Sequence, residues 1–182
     1  ASGAPFALDV NDSTSLEVSG DATIDFEGLL TVEGSFELQQ FDVTDDALLG
    51  AGATGLSLEL SVSGEVAGGV SGSGTLKLLQ LTNAAGLSWL GVEATDLNFG
   101  LDFAPLSLAV TNGSLKLNQG PVGKSKLDWT DSATANAVVS ASGAPFALDV
   151  NASTSLEVSG EATIDFEGLL TVEGSFELQQ FD

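Results

Sequence analysis

Cysteine, histidine, methionine, tyrosine and arginine do not occur in this chain of 182 residues. Without cysteine there is no disulfide, no thiolate nucleophile and no zinc–thiolate site. Without histidine the commonest general base and metal ligand is missing. Positive charge is nearly absent: four lysines, Lys77, Lys116, Lys124 and Lys126, stand against 26 acids, for a net charge of -22. Nucleic-acid binding needs clustered cations, so a nucleic-acid partner is excluded, and an anionic membrane surface is disfavoured for the same reason. No apolar run reaches the roughly 18 residues of a membrane-spanning helix. A transmembrane β-barrel would need aromatic girdles, and the chain has two tryptophans and no tyrosine. The first residue is alanine, no signal peptide is visible, and the sequence reads as a fragment of a longer protein.

What is present is enough apolar material for a core, 43% of residues, and an internal repeat. Residues 1–42 and 141–182 align without gaps and differ only at Asp12 against Ala152 and Asp21 against Glu161. "FEGLLTVEG" therefore occurs twice, from Phe26 and from Phe166. The chain is one unit of 140 residues, 1–140, followed by the first part of the next, 141–182. Units in repeat proteins lean on their neighbours, so the second copy is expected to interlock with the first, a duplicated domain on a loose linker being the alternative.

Apolar residues alternate with polar ones from Leu16 to Leu38, at even positions, which predicts β-strands with one apolar face. A turn must fall inside this stretch, and Gly28 marks it. A three-residue loop, Glu27–Leu29, keeps all even positions on one face and pairs Phe26 with Leu30, Ile24 with Val32 and Gly20 with Phe36. The polar pairs become Asp25–Thr31, Thr23–Glu33, Asp21–Ser35, Ser19–Glu37 and Glu17–Gln39. Every acid then faces a neutral residue, whereas a slip of two in either direction opposes acids, at up to about 1 kcal/mol per pair. The same rule predicts a second hairpin around Ala67–Gly69, with Val66 opposite Val70 and Glu59 opposite Lys77.

Asn112-Gly113 is the strongest short turn signal and predicts a two-residue hairpin pairing Val110 with Leu115. Leu97, Phe99, Leu101 and Phe103 predict a strand ending at Ala104-Pro105, and Lys126–Thr130 a short strand with Trp129 inward. Asp42–Ala53 and Leu81–Gly86 read as connections, each with room for a helical turn. Strands of about 12 residues are roughly 40 Å long. The expected architecture is all-β: an elongated antiparallel sheet, barrel-like or wrapped, continuous between repeats. The alternative is β-sandwich domains in series.

Candidate chemistry is sparse. The carboxylates lie on the polar side of strands and read as a solvated face. Serine is abundant but has no histidine beside it, and "SGSG" at Ser71–Gly74 falls within a strand. No Gly-rich phosphate loop with a lysine is present. These absences predict a protein that is not an enzyme. Calcium is the one candidate ligand: "LDVNDS" gathers Asp9, Asn11 and Asp12, and "DVTDDA" adds Asp42, Asp45 and Asp46, hard oxygens suited to Ca²⁺. Against it, the second copy replaces Asp12 by Ala152. Gly20, Gly34, Gly64 and Gly72 on the apolar face allow either close packing or a cavity for an apolar ligand such as a lipid, with a filled core the expectation.

Long near-identical repeats, acidity, lack of cysteine and a Gly/Ser/Thr-rich β pattern resemble the repeat regions of very large bacterial surface and secreted proteins, including adhesin stalks. The resemblance is one of style and rests on no family-specific motif. It implies an extracellular or cell-surface location, partners that are neighbouring copies of the same repeat, and a spacer role in a fibre. The alternative function is a binding module, for calcium-dependent adhesion or for an apolar ligand.

Overall fold

A computed structural model describes residues 14–26, 30–43, 49–66, 70–103, 106–131, 146–166 and 168–180. Eight strands follow one another: β1 (Thr14–Phe26), β2 (Leu30–Asp42), β3 (Thr54–Val66), β4 (Val70–Thr82), β5 (Ser88–Phe103), β6 (Leu106–Gln119), β7 (Leu156–Phe166) and β8 (Leu170–Gln180). They form a single antiparallel sheet in chain order, each strand paired with its sequence neighbours. The sheet is not closed into a barrel, and among the described residues there is no second sheet to make a sandwich. It is an elongated antiparallel sheet.

Charge and parity select the expected register. β1 and β2 pair Phe26 with Leu30, Gly20 with Phe36, and each acid of the hairpin with a neutral residue. β3 and β4 pair Val66 with Val70 and Glu59 with Lys77, whose charged atoms stand 4.0 Å apart. The loop residues 27–29 and 67–69 lie outside the described residues.

Asn112-Gly113 does not form a hairpin. β6 runs straight through it, and the chain instead reverses between Phe103 and Leu106. Asn112 takes a positive φ of 51° as part of a bulge, facing a second one where Asp96 has a φ of 53°. The bulges have a visible cause in the sequence. Apolar positions in β5 change from even (Leu90, Val92) to odd (Leu97, Phe99), and in β6 from even (Leu108, Val110) to odd (Leu115, Leu117). An extra residue in each strand returns the apolar set to one face. Asn tolerates positive φ in a bulge as readily as in a turn, and pairing to both β5 and β7 decides between them. Lys126–Thr130 is not a strand but a turn-rich segment, in which Trp129 is nevertheless fully buried. Leu81–Gly86 splits: β4 continues to Thr82, and the turn follows, held by Asn83 Oδ1, which accepts from the backbone N–H groups of Ala85 and Leu87 at 3.0 Å each. Of the Asp42–Ala53 connection, 44–48 lie outside the described residues.

The core is on the other side from the one parity suggests. The buried cluster joins Phe41, Leu79, Leu81 and Trp89, all odd-numbered, to Val43, Ala53, Trp129, Phe146, Leu148 and Val150 from the connecting segments. Those segments fold over one end of the odd-numbered face. The even-numbered apolar face is open at its outer strands, where Val18, Ile164 and Phe176 are each 43% exposed and Leu178 is 61% exposed, and part-exposed across β3 and β4, with Ala94 of β5 buried.

Candidate functional site

The place where the second copy meets the first is the most elaborately built part of the molecule. Its floor is two rows of residues across neighbouring strands. Gln39, Ser57, Leu79, Gly91 and Asn118 form one, and Phe41, Gly55, Leu81 and Trp89 the other; all are buried. Small residues make room for rings. The Phe41 ring lies over Gly55, and Trp129 lies over Gly91, where a Cβ would come within 2.7 Å of the indole and 2.8 Å of Leu148.

Onto this floor the second copy lays residues 146–150. Phe146, Leu148 and Val150 point in and are buried, while Ala147 and Asp149 point out. The backbone N–H of Trp129 donates to the carbonyl of Val150 at 2.9 Å. Lys77 sits 5.7 Å from the centre of the Phe146 ring, a cation–π contact. Asp149 accepts from Lys116 Nζ at 2.7 Å, and its backbone N–H donates to Glu93 Oε2 at 3.1 Å.

Asn118 ties the two copies together beneath this segment. Its side-chain amide donates to the carbonyls of Leu127 and Asn151 at 2.8 Å each, and its Oδ1 accepts from Trp129 Nε1 at 2.9 Å. Its backbone N–H donates to Ser155 O at 3.1 Å. A buried amide with every group matched stabilises, whereas one missing partner would cost about 1–3 kcal/mol. Lys126 adds a bond to the carbonyl of Thr154 at 3.3 Å and another to the Ser155 hydroxyl. Sequence parity gave no sign of Asn118, which reads as one more residue of the solvated polar face.

A charged ladder crosses the odd-numbered face: Ser19, Glu37, Glu59, Lys77, Glu93, Lys116, Glu157 and Gln179. Lys77 and Lys116 each fall between two acids. Lys116 is held above the usual lysine value of 10.5 by its hydrogen bond to Asp149 and by the charges of Asp149, Glu157 and Glu93, against the opposing effect of burial. Glu37 faces Glu59 across β2–β3, the like-charge contact that the hairpin register avoids elsewhere; the Gln39 amide, 3.1 Å from Glu37 Oε1, and Lys77 beyond Glu59 offset it.

Of the residues expected to hold calcium, Asp9, Asn11, Asp12, Asp45 and Asp46 lie outside the described residues, and Asp42 is an exposed strand end paired with Thr54. The second copy of the first cluster is described. There Asp149, the counterpart of Asp9, is bound to Lys116, and Asn151, the counterpart of Asn11, closes a turn by accepting from Ser153 and Thr154 N–H at 2.9 and 3.2 Å. Among the described residues no group of three or more acids is placed to hold a metal ion. Nor is any helix among them long and apolar enough to cross a membrane. Clefts of about 600 and 670 Å³ on the polar side are lined by Ser63, Ser73, Asn98 and Glu33, over short side chains. Compared with profiles of protein families, with curated proteins and with solved structures, the chain matches none.

Proposed function

We propose that this chain is a structural tandem-repeat segment, a spacer in an extracellular or cell-surface fibre whose partners are further copies of the same repeat. One observation carries the reading: β7–β8 repeats the β1–β2 hairpin in the same register, and the segment leading into it completes the core of the preceding unit. Each copy thus closes the one before it and offers a strand edge to the one after. That edge is β6, whose outer side pairs with β7, the first strand of the second copy. The fibre axis then runs across the strands. Binding is not needed to account for any buried group, since no buried side-chain polar atom among the described residues lacks a hydrogen bond.

Arrays of two, four and eight repeats test the proposal. Each repeat brings six strands among its described residues, β1 to β6. At about 4.8 Å per strand it adds about 29 Å of length. Electron microscopy and small-angle scattering are expected to show a straight rod growing by that step. Flexibly jointed beads would end the proposal. Melting with and without millimolar Ca²⁺ separates a plain spacer from a metal-stiffened one, which would gain many degrees.

A further inference from the structure

The even-numbered face of the sheet is an association surface, and we propose that its occupant is the same face of a second copy. Two complete rows show its character. One reads Val18, Leu38, Leu58, Leu78, Val92, Leu117, Leu156 and Gln180, the other Gly20, Phe36, Leu60, Leu76, Ala94, Leu115, Val158 and Leu178. No charged residue stands in either row, in a chain with 26 acids. Yet Val18, Leu178 and Phe176 are 43–61% exposed. Eight strands about 4.8 Å apart and about 40 Å long give a face of roughly 1,500 Å². Apolar patches on monomers seldom exceed about 600 Å².

Size and charge both point to a second copy. A stable interface needs about 800 Å² per partner, so half of this face is sufficient. Two such faces stack about 10 Å apart. The acids are no obstacle. In the stacked pair they project outward from opposite sides, farther apart than the roughly 8 Å screening length of physiological salt. Among the described residues the face has no cation or buried hydrogen-bonding group to hold a lipid headgroup. The association goes beyond the spacer reading and does not depend on it: a single 182-residue chain suffices for the test.

Sedimentation velocity on the full chain, up to about 100 µM, is expected to show a discrete species of twice the chain mass. Leu60→Lys, at the centre of the face, is expected to weaken it by roughly a hundredfold. Ser63→Lys, on the same strand but the opposite face and beside Glu33, is expected to leave it unchanged. Leu178→Lys serves if Leu60→Lys fails to fold, because Leu178 is already 61% exposed and contributes little to the single chain; it too is expected to weaken the pair. A monomer at all concentrations overturns the proposal. So does a monomer whose organic extract contains lipid, or an open-ended ladder of oligomers that survives both face substitutions, which would signify pairing through the edges of β1 and β8.

Discussion

Gly91 and Trp129 show how single residues settle where the core lies. Gly91 leaves a hollow in the polar face of β5, and the indole fills it. A methyl group there would press on a ring that is itself 1% exposed and cannot move aside. Gly91→Ala is therefore expected to destabilise by about 1–3 kcal/mol, as overpacking does, in a urea titration followed by the fluorescence of Trp129 and Trp89. Lys116 acts through charge. Its value in the folded chain is raised, so its contribution is complete below the ordinary value of 10.5 and is lost as pH climbs through the folded value. The stability difference between wild type and Lys116→Gln is expected to be constant from pH 7 to about 10 and to shrink above that. A difference that grows with alkalinity would contradict the assignment. At the other end of the scale, Asp165 is held below its usual 3.8 by the Thr171 hydroxyl and then by the Gly168 N–H, so Thr171→Val is expected to raise its NMR titration midpoint.

At the scale of the element, the hairpins obey parity and charge alone, and the bulges show where local signals lose to pairing. Asn112 is the test. With a φ of 51°, it occupies a conformation that Gly adopts freely and β-branched residues resist. Asn112→Gly is expected to be near neutral, and Asn112→Val to cost about 1–2 kcal/mol in the same titration. The hydrogen bond from Asn112 Nδ2 to Glu161 Oε2 at 3.1 Å is exposed and accounts for little of that. Equal losses in the two variants would mean that the side chain, not the backbone, matters. Residues 146–150 are the second lesson. They alternate inward and outward like a strand, yet lie across the sheet as a clasp rather than joining it.

For the whole molecule, the decisive feature is that one copy does not contain its own core. Phe146, Leu148 and Val150 belong to the second copy by sequence and to the first by packing. The two copies are therefore expected to unfold together, in one transition seen alike by tryptophan fluorescence and by the circular dichroism of the strands. Leu148→Ala is expected to lower the midpoint of that single transition, by about 2–5 kcal/mol of stability. Two separated transitions, with only the later copy affected, would refute the interlock and with it the spacer.

The alternation of apolar and polar residues, the placing of acids opposite neutral partners and the near-identity of 1–42 and 141–182 are local or pairwise properties. They suffice to determine β1 to β4, the register of both early hairpins and the repetition of the first hairpin by β7–β8. Parity also marks the bulges, since a change from even to odd requires an extra residue, but it cannot say whether that residue makes a turn or a bulge. Only the assembled sheet decides this, because the choice rests on strands distant in sequence. The tertiary structure alone decides which face is covered. Connecting segments such as 120–131 and 146–150 fold over one end of the polar face and bury Gln39, Ser57 and Asn118 there. Nothing in the alternation distinguishes those three from their solvated neighbours, since burial depends on what arrives from elsewhere in the chain.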